Sequence, residues 1–210
     1  MTASPTALKR SMGVGILAYG SLISEPGREI GPLIARRIPT ATPFPVEYGR
    51  LSRSRGGAPT VVPHLAGCSV KAEVLVLFES VSFEEAKNLL WRREVRKEGS
   101  GHAYKESSSP DAVLVRDSPG FCGLNHGLYT DFNASGKLDT PEPRGLAKAA
   151  ANSVGRAPNG KDGISYLIDL LDAGVVTALT ARYEKELLIL TNSPTLAEAL
   201  IALRNRTRQR

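Results

Sequence analysis

Two places in the 210-residue sequence combine residue types and spacing that can do chemistry. The first is Glu94, within a segment of helical spacing, residues 82–98. At about 100° per residue, Phe83, Ala86, Leu89 and Leu90 fall on one apolar stripe. Glu94, four residues beyond Leu90 and eight beyond Ala86, falls on the edge of that stripe. A carboxylate turned toward a core is costly unless it is paired or takes up a proton. Two explanations are open: an ion pair with Arg92, Arg93, Arg96 or Lys97 at the helix rim, or a general acid/base lining a cleft. The second place is Tyr19-Gly20-Ser21-Leu22, directly after an apolar run. Glycine permits a tight turn and leaves neighbouring N–H groups uncovered. Successive N–H groups form a concavity for an anion, either a carboxylate or a developing oxyanion. A plain structural turn is the alternative. Tyr19 supplies either a hydroxyl or packing. Arg53 and Arg55, in the polar segment 52–59, are candidate carboxylate binders or solvated loop charges.

The elements that must position these groups follow from periodicity. Residues 13–19 read as a buried strand, and Val70, Ala72, Val74, Val76 and Phe78, alternating with Lys71 and Glu73, as a second. Further strands are expected at 46–51, 60–62, 112–116 and 127–132. Pro26 can open a helix that carries Ile30, Leu33 and Ile34 on one face. Ser82 and Glu85 have the spacing of a capping box, which opens the helix that bears Glu94. Residues 99–110 are a polar loop, and helices are expected at 142–154, 164–171, 180–190 and 196–204. Strands early and helices late predict an α+β fold: a small mixed, closed or half-closed β-barrel-like sheet surrounded by helices. Residues 1–12 read as a flexible leader, 13–204 as one domain and 205–210 as a basic tail.

Composition narrows the function classes. The chain is 41% hydrophobic, with no window near the roughly 18 apolar residues of a membrane span. The first residues lack the apolar core of an export signal, so a cytoplasmic location is expected and no membrane partner. Cys68 and Cys122 have no CxxC spacing and read as free thiols; no metal or other cofactor is expected. A thiol nucleophile, Cys68 or Cys122, would need His64, His102 or His126 held as a base within hydrogen-bond reach; no spacing establishes this, and Cys122 near His126 is suggestive only at first glance. The net charge of +6 lies partly in Arg204, Arg206, Arg208 and Arg210. No aromatic-interleaved RNA-binding motif accompanies them, so nucleic acid is not the expected partner. The excess of positive charge would help collect a small anionic substrate. Nothing fixes the oligomeric state.

Together the two motifs resemble the γ-glutamyl cyclotransferase superfamily, especially its ChaC-like branch. The resemblance rests on Tyr19-Gly20-Ser21-Leu22-Ile23 with Pro26-Gly27, and on Arg93-Glu94 late in a helix after a central strand. A looser match is the basic, glycine-containing Arg55-Gly56-Gly57-Ala58-Pro59. It covers residues 14–95, and thinly Tyr166 to the end. Ser24 stands where ChaC-like sequences usually carry an aromatic residue, and residues 99–110 look inserted, which leaves the substrate's amine portion open.

The resemblance implies an enzyme that closes a γ-glutamyl group into 5-oxoproline without a cofactor, the substrate being a small γ-glutamyl peptide or amine. Glu94 falls on the family's catalytic glutamate. Tyr19, Gly20, Ser21 and Leu22, with Arg55, would bind the substrate. A non-catalytic domain of the same fold, binding a small anion or a partner, is the alternative.

Overall fold

The structure, a computed structural model, describes residues 12–158 and 160–208. These form a mixed α+β fold with six α-helices, a five-stranded sheet and a separate two-stranded hairpin. The sheet order is β2 (Ile34–Ala41), β5 (Lys71–Leu77), β1 (Met12–Ala18), β7 (Leu124–Phe132), β6 (Val113–Asp117). Central β1 pairs antiparallel with β5 and parallel with β7, and both outer pairs are antiparallel. The hairpin joins β3 (Val46–Ser52) to β4 (Ala58–Pro63).

The expected barrel closure is not found. β2 and β6 end the order without pairing to each other, and β3–β4 stands apart. A closed barrel whose interior is just filled by side chains takes about eight strands, and five leave the sheet open. The β2 rim presents exposed Arg36, Arg37 and Pro39.

Alternation along β1 builds two faces. Val14, Ile16 and Ala18 meet Ala86, Leu89 and Leu90 of α2 (Phe83–Glu94) on one side. Leu17 meets Val74, Val76 and Leu124 on the other. Gly15 allows this close packing: a Cβ there would lie 2.5 Å from Leu124 Cδ1 and 2.6 Å from Val74 Cγ1. A second core unites the hairpin with α3 (Pro143–Ser153), α4 (Gly163–Asp172), α5 (Thr180–Thr191) and α6 (Leu196–Arg208). Tyr48 and Tyr183 meet edge to face at 4.9 Å in its centre. The wholly buried Glu47 is satisfied there, accepting from Thr177 Oγ1 at 2.5 Å and from the Leu179 N–H at 3.0 Å.

Local readings differ at three points. No helix opens at Pro26; a single turn, α1 (Ser21–Ser24), and a 3-10 turn at Gly31–Leu33 lead into β2 instead. As a largely exposed edge strand, β2 lacks the apolar alternation that marks a strand in sequence. The helix expected over 82–98 stops at Glu94. Arg96 takes the left-handed conformation (φ 58°), with its N–H on the Arg93 carbonyl and the Lys97 N–H on the Arg92 carbonyl. This is a Schellman stop with arginine where glycine is usual. Met12 belongs to β1, and α6 continues to Arg208; the rest of the expected leader, 1–11, and residues 209–210 of the tail lie outside the described residues. No single described helix is long and apolar enough to cross a membrane.

Candidate functional site

The Schellman stop makes Glu94 the last helical residue of α2, so its side chain leaves the helix at the C-terminal rim. The neighbouring Arg93 reaches in three directions. Its Nη1 donates to Glu94 Oε1 at 2.5 Å, and its Nη2 donates to Ser21 Oγ at 3.3 Å and to the Glu25 carbonyl at 2.7 Å. The acid and the turn after β1 are therefore separated by no more than one guanidinium and two hydrogen bonds. Glu94 is 22% exposed and Arg93 13%, so the pair is neither sealed in the core nor extended into bulk water. The ion pair and the cleft, alternatives from spacing alone, coexist. No hydrogen bond to Glu94 Oε2 occurs among the described residues.

The turn is built around Gly20, whose φ of 72° and ψ of −143° are accessible essentially to glycine alone. A Cβ there would also come within 3.2 Å of the Tyr166 hydroxyl oxygen. Buried Leu22 anchors the segment in the sheet core. Among the described residues no acceptor takes the N–H groups of Gly20, Ser21 or Leu22. These donors are what a nest for a carboxylate or oxyanion requires.

Acid and turn open on one cavity of about 500 Å³, within the range of small-molecule sites. From the sheet half it is lined by Tyr19, Ser21, Leu22, Glu94 and Phe132; from the helical half by Arg50, Arg55, Lys161 and Tyr166. The Tyr19 hydroxyl donates to the Thr130 carbonyl at 3.0 Å, so its main hydrogen bond is structural. Burial pushes its pKa well above the ordinary tyrosine value, and the charges of Asp131 and Glu94 add to the effect. Burial likewise pushes Tyr166 up to about 12, against the pull of Arg55 and of a backbone hydrogen bond from Val61. Both phenols stay neutral at physiological pH and can serve only as hydroxyls.

Arg55 lies over the Tyr166 ring at 4.7 Å and donates to the Lys161 carbonyl at 3.4 Å, which orients its charge along the cavity wall. Arg53 is 87% exposed and pairs with Asp111 at 2.9 Å on the rim. Of the turn and loop residues singled out in sequence, Tyr19, Ser21, Leu22 and Arg55 line the cavity with Glu94, and Gly20 shapes the turn behind them.

Tyr104 and Tyr129 are placed elsewhere, the first accepting from the Val115 N–H and the second packed on Phe44 at 4.4 Å. Cys122 and His126 make no hydrogen bond to each other: the thiol faces Thr40 Oγ1 at 3.7 Å, and the imidazole is held by Asp117 at 2.7 Å. Sequence reasoning missed Arg50, Phe132 and Lys161, and met Tyr166 only as the margin of a resemblance. The one local signal was an arginine within a strand whose other residues are mostly buried.

Compared with protein-family models and with curated proteins, the chain matches none.

Proposed function

We propose that the protein is a γ-glutamyl cyclotransferase with a γ-glutamyl cyclotransferase-like fold, forming 5-oxoproline from a γ-glutamyl peptide or amine. The observation that carries this reading is the shared cavity lined both by Glu94 and by Ser21 and Leu22 of the turn, whose N–H groups are uncovered. The reaction is intramolecular: the substrate's α-amine attacks its own γ-carbonyl. Tethering already supplies the proximity that catalysis otherwise has to provide. What remains is proton transfer. The α-ammonium, with a pKa of about 8, must lose a proton before it attacks. That first proton goes to solvent; as the neutral amine attacks, Glu94 accepts a second proton from the same nitrogen while the new C–N bond forms, then delivers it to the departing nitrogen as the old C–N bond breaks. The turn's N–H groups hold the α-carboxylate or the carbonyl oxygen, and Arg93 fixes the acid against the turn so that both act on one substrate. The cations lining the cavity suit an anionic substrate.

The test is Glu94→Gln assayed against a panel of γ-glutamyl compounds. Wild type should release 5-oxoproline, and the variant should keep its fold and lose at least roughly a hundredfold in turnover. Near-normal turnover by the variant removes Glu94 from the mechanism. The tight Arg93–Glu94 pair favours one competing reading, an anion-binding domain without catalysis. That reading gains if wild type binds γ-glutamyl compounds but yields no 5-oxoproline.

A further inference from the structure

Arg50 is a cation of the cavity wall that carries a buried donor nitrogen without a partner among the described residues. It projects from β3, 11% exposed at the side chain, with its guanidinium carbon 4.0 Å from the centre of the Phe132 ring. Its single anionic contact is long, Nη2 to Asp111 Oδ1 at 3.4 Å, and Asp111 is shared with Arg53, which holds it more closely at 2.9 Å. Arg50 Nε is buried and has no hydrogen-bond partner among the described residues. A buried guanidinium left with unmade hydrogen bonds is unfavourable unless something completes it, and a carboxylate matches its planar fork of donors.

Placement separates Arg50 from the groups around the acid. Tyr19, at the turn, bonds the Thr130 carbonyl, whereas Arg50 stacks on Phe132, two residues farther along β7 and about 7 Å on by strand geometry. Arg55, by contrast, sits on Tyr166, whose hydroxyl would lie 3.2 Å from a Cβ at Gly20. An extended γ-glutamyl amino acid is about 10 Å long. With its γ-glutamyl end at the turn and Glu94, its other end reaches toward Arg50.

Building on the cyclotransferase reading, we propose that Arg50 is a specificity-determining residue that binds a carboxylate on the departing amine. Substrates whose amine portion ends in a free carboxylate, as in a γ-glutamyl amino acid or peptide, are therefore selected over uncharged γ-glutamyl amides and amines. Phe132 supports the plane of the guanidinium, and Asp111 keeps Arg50 oriented until the substrate's carboxylate takes its place.

The experiment compares γ-glutamylglycine with γ-glutamylglycinamide, which differ by that one charge, as substrates of wild type, Arg50→Gln and Arg50→Lys. Wild type should favour the acid by at least roughly tenfold in kcat/KM, since a charged hydrogen bond is at stake. The advantage should appear mainly in KM, vanish in Arg50→Gln and return in part in Arg50→Lys. Equal use of both compounds by wild type overturns the assignment without any variant having to fold. So does a preference that survives in folded Arg50→Gln. In both cases 5-oxoproline still forms and the cyclotransferase reading stands. Absence of 5-oxoproline from both compounds with wild type overturns that reading and the inference with it.

Discussion

The sheet half and the helical half of the molecule contribute to the cavity in different ways. The sheet half brings the acid and the uncovered N–H groups from segments adjacent in sequence to strong structural signals: the end of β1 and the end of α2. The helical half brings cations and a buried phenol from β3, the β3–β4 loop and α4, and of these only the loop arginines stand out in sequence. On the cyclotransferase reading, the groups proposed to react each lie beside a local chain signal, although a tertiary contact brings them together, whereas most groups proposed to hold the substrate are placed by tertiary packing alone.

Four measurements test that division, in decreasing order of expected effect. Glu94→Gln strikes the sheet half: a hundredfold loss of turnover is about 2.7 kcal/mol of barrier, with Tm nearly unchanged. A matching fall in Tm would make Glu94 structural. Asp162→Ala strikes the helical half, because Asp162 caps α4 by accepting from the Ile164 and Ser165 N–H groups and also meets Arg204. A loss of about 1–2 kcal/mol in urea unfolding is expected. If the two halves unfold together, hydrogen exchange will rise in β1 as much as in α4; if not, the rise will be confined to the helices.

The third measurement is alkaline titration. Burial raises the pKa of Tyr48, Tyr166 and Tyr183 in the helical half, that of Tyr166 to about 12, and raises Tyr19 on the sheet side. Folded protein keeps phenol protons that the unfolded chain releases above about pH 10, so stability is full below pH 10 and falls as pH climbs toward 12. Each tyrosine withdraws at most about 1.4 kcal/mol per pH unit in that window. Tyr183→Phe should flatten the slope of stability between pH 9.5 and 11; an unchanged slope would show that its hydroxyl is not what opposes ionisation. The smallest effect is expected from Arg96→Gly, which relieves a left-handed arginine at the stop beside Glu94. A gain of about 0.5–1 kcal/mol is expected from chemical denaturation. A loss would mean that the Arg96 side chain contributes more than its backbone strain costs.

How far the sequence was legible follows the same division. The β1 run, the alternation in β5, the Ser82 cap and the late helices were readable because each signal is local, and Ser82 Oγ does accept from the Glu85 N–H at 3.2 Å. β2 carries no strand signal in sequence, and its first residue, Ile34, reads as part of a helix, because its burial is set by lying at an edge and not by its own pattern. Glu94 stood out as an acid beside an apolar stripe, but its tie to Ser21 through Arg93 spans 72 residues and carries no periodic trace. Arg50 could be noticed as a charge inside a strand, yet its meaning depends on Phe132 and Asp111, which only folding brings to it.

The open sheet has one last consequence. An unpaired strand rim invites a neighbouring molecule to extend it, the first step toward stacked copies and fibres. One of the two rims is β2, where Pro39 offers an approaching second copy no amide hydrogen. At the β2 rim the open sheet is thus guarded by an imino acid rather than by closure.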